Sequence, residues 1–219
     1  MIPRKENIQK KYGFFTTLVF SLLFMFSCTD SVHGKKEQVI VAFGDSLTAG
    51  LGVPSEKAYP AQLAKKLNTN GYRYKVVNAG VSGETTAGGL RRVEWILKSR
   101  PDIVILALGA NDGLRGLSLI EMEKNLSKII QKLQQKDVKV VLAGMKIPPN
   151  YGIRYTRGFE AVYPKLAKRF NLTLIPFFLE GVATVPALNQ ADGIHPNAQG
   201  YKIIVDRIWP VIQNVVESG

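Results

Sequence analysis

The sequence predicts an α/β domain in which about five parallel strands form one sheet with helices on both faces. Three observations lead there. From Val39 onward, short β-rich runs alternate with longer helical ones. The short runs are continuously apolar, as strands covered on both faces are. Once an N-terminal leader is set aside, about 180 residues remain, enough for one domain with a full core.

The leader comes first. Met1 to Lys11 carries Arg4, Lys5, Lys10 and Lys11 against the single acid Glu6, and Phe14 to Phe26 is then a 13-residue stretch without charge. That is the n-region and h-region of a signal peptide, too short for a spanning helix. The stretch ends in "FMFSC", with Ser27 immediately before Cys28, the one cysteine of the chain. An exported protein with a single thiol is unusual, and lipidation of that thiol removes the anomaly. Residues 1–27 therefore resemble a bacterial lipoprotein signal, cut before a diacylglyceryl cysteine, although Met25 and Phe26 stand where Leu and a small residue are usual. An ordinary cleaved signal and an uncleaved anchor are the alternatives. Residues 28–37 read as a polar tether and 38–219 as the domain. The expected location is outside the cytosol, on a membrane facing the periplasm or the cell exterior.

Removing residues 1–27 takes Lys plus Arg from 29 to 25 and Asp plus Glu from 17 to 16, so the net charge falls from +12 to +9. A basic domain favours anionic membrane faces and anionic substrates. Nucleic acid is not expected, because the basic residues are spread singly along helices of an exported chain. No disulfide is available, so the core alone must supply stability.

The strands are expected at 38–43, 73–78, 102–108, 138–144 and 172–177, and the helices near 57–69, 85–99, 118–136, 156–170 and 197–217. The third helix has the clearest start: Ser118 and Glu121 form a capping-box pair, and Met122, Leu126, Ile129, Ile130 and Leu133 follow at helical spacing. Pro164 and Pro210 fall inside the last two helical patterns and are expected to kink or split them.

In such a sheet, functional groups gather where strands end. Those loops hold "GDS" at 44–46, "NAGVSGET" at 78–85 and "LGANDGLRG" at 108–116, and "DGIHP" lies at 192–196. Gly44-Asp45-Ser46 admits a plain strand-to-helix turn, since these residues favour turns. It also admits a nucleophile at the sheet edge. His33 lies in the tether, which leaves His195 as the domain's one candidate for a general base near neutral pH. A lone histidine is as a rule structural, but Asp192 stands three residues earlier, in a segment turned by Gly193 and fixed by Pro196. That spacing brings a carboxylate onto Nδ1 and leaves Nε2 free to take a serine proton. A metal site runs out of ligands, with one cysteine and no second histidine in the domain. An oxyanion needs donors, and the candidates are the N–H of Ser46, the N–H of Gly83 and the side-chain amide of Asn111. Asp112 reads as a structural loop acid.

Gly44-Asp45-Ser46, Gly83, Gly109-Ala110-Asn111-Asp112 and Asp192-Gly193-Ile194-His195-Pro196 resemble the four signature blocks of the SGNH or GDSL hydrolases, in the family's order. "LGANDGLRG" and the segment from Pro148 to Ala183 are similar to the thioesterase I, arylesterase and lysophospholipase branch. The resemblance implies a three-layer, flavodoxin-like fold, no cofactor, and a monomeric serine esterase acting on acyl esters, thioesters and lysophospholipids. It implies Ser46 as nucleophile, His195 as base, Asp192 as its orienter, and Ser46, Gly83 and Asn111 as oxyanion donors. No G-x-S-x-G elbow occurs, which argues against the α/β-hydrolase fold. The alternatives are a carbohydrate O-deacetylase of the same fold, or an inactive lipid- or glycan-binding module. Ile147, Pro148, Phe177 and Phe178 are apolar residues expected near the site's loops, where they would face an acyl chain or simply pack in the core.

Overall fold

The computed structural model describes residues 37–218. Residues 1–36, which carry the expected signal, Cys28 and all but Glu37 of the expected tether, lie outside the described residues. Five parallel strands form one sheet in the order β2-β1-β3-β4-β5. They are β1 (Gln38–Gly44), β2 (Tyr74–Gly80), β3 (Ile103–Ala107), β4 (Lys139–Ala143) and β5 (Thr173–Ile175). The longer helices are α2 (Tyr59–Thr69), α3 (Thr86–Lys98), α5 (Leu119–Gln134), α6 (Ile153–Phe170) and α7 (Ala198–Glu217), and two one-turn helices, α1 (Ser46–Ala49) and α4 (Ala110–Leu114), follow β1 and β3. Helices α2 and α7 pack together, as do α3 with α5 and α5 with α6. Right-handed crossovers put the first pair on one face of the sheet and the other three helices on the opposite face.

The central strands are apolar along their length because both faces are covered. Ile40 to Phe43 and Ile103 to Leu106 are fully or almost fully buried. On α5, Met122, Leu126, Ile129, Ile130 and Leu133 form the buried stripe. Only half of its capping box is made: Ser118 Oγ accepts the Glu121 N–H at 3.4 Å, while the Glu121 carboxylate turns to Lys124 at 3.2 Å.

Three expectations need correction. Strand β5 is three residues long instead of six, for Pro176 lacks an N–H and the chain turns there, with Phe178 N–H donating to Gly144 O. Helix α6 begins at Ile153 rather than 156, with Gly152 as an N-cap that offers no side-chain acceptor. Pro164 and Pro210 do not split their helices. Both prolines are exposed, as are Glu160 and Asp206, whose carbonyls lose their helical partners, so water can satisfy those carbonyls.

The register sets the height of the loops. Gly44 pairs with Gly80 on one side and Ala107 on the other, so β1, β2 and β3 end on one line. The chain runs from β1 to β2 on one side and then returns to β3 on the other. This reversal opens a crevice at the carboxyl ends of β1 and β3. Gly80 must be glycine, because a Cβ there would lie 2.1 Å from Ala49 N.

Candidate active site

Ser46 is the first residue of α1, immediately beyond the end of β1, and Asp45 caps that turn by accepting the Leu47 N–H at 3.0 Å. The loop Gln190–Pro196 reaches it from the far end of the chain. Asp192 Oδ1 accepts the N–H groups of Ile194 and His195 at 2.9 and 3.0 Å, and Asp192 Oδ2 meets His195 Nδ1 at 2.7 Å. These contacts hold the Asp192 carboxyl down at about 2, the two backbone donors contributing most and the imidazole adding to them. His195 Nε2 lies 2.9 Å from Ser46 Oγ. The loop closes on itself through Gln190 N–H to His195 O at 2.8 Å, and the Gln190 side chain donates to Leu51 O, just past α1, at 2.7 Å.

The same crevice holds the amides. Gly83 lies in the loop after β2 at φ +78°, a conformation that favours glycine. Arg115 Nη2 donates to its carbonyl at 2.8 Å, which fixes the peptide. Asn111 is the second residue of α4, and its Nδ2 donates to Asp45 Oδ2 at 3.2 Å, leaving a second hydrogen of that amide free. Among the described residues, the N–H groups of Ser46 and Gly83 donate to no other group. Asp112 is buried and tied to Thr86, accepting its N–H at 2.8 Å and its hydroxyl at 2.6 Å. It joins α4 to the start of α3 and stays out of the crevice. Among the described residues, no three His, Cys, Asp or Glu side chains converge as metal ligands would.

The structure thus brings together Ser46, Asp192 and His195, with the Gly83 loop and Asn111 beside them. Phe178 belongs elsewhere: it is fully buried and packs edge-on against Tyr59, 5.0 Å between ring centres. Ile147 is half-buried and Pro148 exposed, and Phe177 lies under the Lys146 ammonium.

Two further groups escaped the reading of the sequence. Asp45 is 1% exposed, and its carboxyl is pushed up to about 6 by burial, against the Leu47 N–H, the nearby His195 and the Asn111 amide. Its signal was present, a carboxylate at the end of an apolar run, but turn chemistry explained it equally well. Arg92 on α3 donates through Nε to Glu84 at 2.7 and 2.8 Å and through Nη2 to Gly44 O at 3.1 Å and Ala79 O at 2.8 Å. One guanidinium therefore clasps the ends of β1 and β2 and the residue that follows Gly83.

Comparison with known families matches residues 42–203 to the GDSL-like lipase/acylhydrolase family. The chain belongs to that family. The esterase TesA of Pseudomonas aeruginosa is 42% identical over 177 residues, 80% of this chain and 88% of the relative. The thioesterase 1/protease 1/lysophospholipase L1 of Escherichia coli K12 is 38% identical over 196 residues, 89% and 93% of the two chains. Among solved structures, a psychrotrophic esterase EstA from Pseudoalteromonas, inhibited by monoethylphosphonate, superposes with a TM-score of 0.78 at 33% identity, covering 82% of this chain and 99% of that one. This GDSL-family chain is a serine hydrolase of ester bonds with the SGNH fold.

Proposed function

We propose that Ser46 is the nucleophile, His195 its base, Asp192 the orienter of the imidazole, and Ser46 N–H, Gly83 N–H and the Asn111 amide the oxyanion donors. The observation that carries the reading is the unbroken line from Asp192 Oδ2 through His195 to Ser46 Oγ, with contacts of 2.7 and 2.9 Å. Ser46 Oγ attacks the acyl carbonyl while its proton passes to His195 Nε2. The three donors hold the negative charge of the tetrahedral intermediate. The imidazolium returns the proton to the departing alcohol or thiol, leaving an acyl group on Ser46. Water, deprotonated by the same imidazole, then attacks that acyl group and releases the acid and Ser46.

The names of the relatives support acyl esters, thioesters and lysophospholipids as the substrate class. We place the protein outside the cytosol and on a membrane through lipidated Cys28, a reading supported by the 13 uncharged residues that precede "SC". Export separates it from cytosolic acyl-CoA and puts single-chain membrane esters within reach.

Ser46→Ala should fold as the wild type does and lose about 10³-fold or more in esterase rate, since only binding and the oxyanion donors remain. A fluorophosphonate should label the wild type alone. Labelling that persists in Ser46→Ala overturns the assignment. Rates on p-nitrophenyl acetate, octanoate and palmitate separate an acyl hydrolase from an O-deacetylase, which would cleave acetate alone.

A further inference from the structure

The outer sides of α5 and α6 form a surface that the ester chemistry does not use. At its upper end lies an open groove of about 600 Å³, with Leu119, Tyr151, Ile153 and Tyr155 among its walls. Tyr151 donates to Leu114 O, the last residue of α4, the helix that carries Asn111, and Tyr155 to Leu117 O just beyond it, each at 2.7 Å. Ile153 in its wall is 65% exposed, and Ile120, the residue after Leu119, is 78% exposed. With Leu119, Tyr151 and Tyr155 of the groove, these two exposed side chains make the rim largely apolar, the kind of surface that suits an apolar partner.

The charge below this rim identifies the partner. Ile120, Lys124 and Lys128 follow one another at i, i+4 along α5, and they face Lys165 and Arg169 of α6 across a second groove of about 450 Å³. The acids on this side are Glu121, which pairs with Lys124, and Glu123, which pairs with Lys165, while Glu160 pairs with Lys146. Among the described residues, Lys128, Arg154 and Arg169 have no carboxylate partner. Helices that connect parallel strands run antiparallel to them, so α5 and α6 both begin at the sheet edge where Ser46 lies.

We propose that this face docks on an anionic lipid surface, with Ile120 and Ile153 entering the acyl region and Lys128, Arg154 and Arg169 lying over the headgroups. The proposal rests on the reading of single-chain membrane lipids as substrates. Apolar insertion and basic attraction are the two contributions that hold peripheral proteins to such membranes. The apolar rim lies at the start of both helices, on the edge of the sheet where Ser46 lies, and the basic side chains follow it along α5 and α6.

The test uses the full chain with Ile120→Trp, against a wild-type background of Trp95 and Trp209. Vesicles of phosphatidylcholine with about 30% phosphatidylglycerol, brominated along the acyl chains, should quench the added emission, and less so as salt rises from about 50 to 500 mM. Pure phosphatidylcholine vesicles should quench it weakly. No quenching at position 120, or equal quenching in both compositions, overturns the proposal. In a second arm, Ile120→Ser with Ile153→Ser should keep the p-nitrophenyl acetate rate within about twofold and lose about tenfold on lysophospholipid in the anionic vesicles. An equal loss on both substrates also overturns it. Failure of the wild type to cleave lysophospholipid dissolved as monomer counts against the substrate reading alone, because the quenching arm reports docking without catalysis.

Discussion

Asp45→Asn separates two effects that one buried carboxylate combines. The carboxyl is raised from the ordinary 3.8 to about 6, with burial as the main cause. A raised carboxylate binds its proton more tightly in the folded chain than in the unfolded one. Its contribution to stability is therefore full below the unfolded value and is lost as pH rises towards 6. About two pH units at 1.36 kcal/mol each make this loss about 3 kcal/mol. Asparagine does not titrate and caps a helix about as well as aspartate, so the Leu47 N–H keeps an acceptor. Between pH 4 and 7 the wild type should lose about 2 kcal/mol of this relative to Asp45→Asn, the rest falling below pH 4, the other carboxylates being common to both. The second effect has the opposite consequence for activity. With an amide at position 45, the Asn111 amide must turn its oxygen towards that NH₂, which carries its own N–H away from the proposed oxyanion site. Losing one such donor costs about 10²–10³ in kcat, with little change in KM. Urea unfolding at about pH 4.5, 6 and 7.5, with kcat and KM on p-nitrophenyl butyrate, measures both. Parallel stability curves, or a kcat within about threefold of wild type, would refute the reasoning.

Arg92→Ala leaves Glu84, whose side chain is 7% exposed, without its cation, and should cost about 3–5 kcal/mol in denaturant unfolding. Arg92→Leu with Glu84→Leu should recover most of that stability but not kcat, since Gly44 O and Ala79 O stay unclasped; full recovery of kcat would show that the clasp does not position the site. Asp192→Asn should lower kcat by about 10²–10⁴ on p-nitrophenyl esters, and an unchanged rate would remove Asp192 from the mechanism. Cys28→Ser should abolish radiolabelled palmitate incorporation and either release the protein from membranes or leave an uncut precursor; an unlabelled, soluble mature wild type would rule out the tether.

Most of the fold was legible because five apolar runs and five helical patterns each follow a single periodicity. The failures have local causes. Helices α1 and α4 are one turn long, so no 3.6-residue pattern can develop in them. The start of α6 carries exposed Ile153 and Arg154 and no capping side chain, which leaves nothing to mark it. In the site, Ser46, Asp192 and His195 could be picked out because their residue types and the three-residue spacing imply a geometry. Arg92 could not, because its partners lie 8, 13 and 48 residues away in sequence and are mainly backbone carbonyls. Asp45 was visible as a turn residue, but its burial depends on the packing above it.

The acid and the imidazole sit on one short loop that closes on itself and is hooked to the Ser46 side of the crevice by the Gln190 side chain. The proposed triad therefore has one long-range joint, His195 to Ser46, instead of two. If the loop moved, Asp192 and His195 would move together, and the base proposed for Ser46 would leave the crevice with its orienter. The loop is in effect an exchangeable cartridge, and grafting Gln190–Pro196 between relatives should transfer a working base and its orienter together.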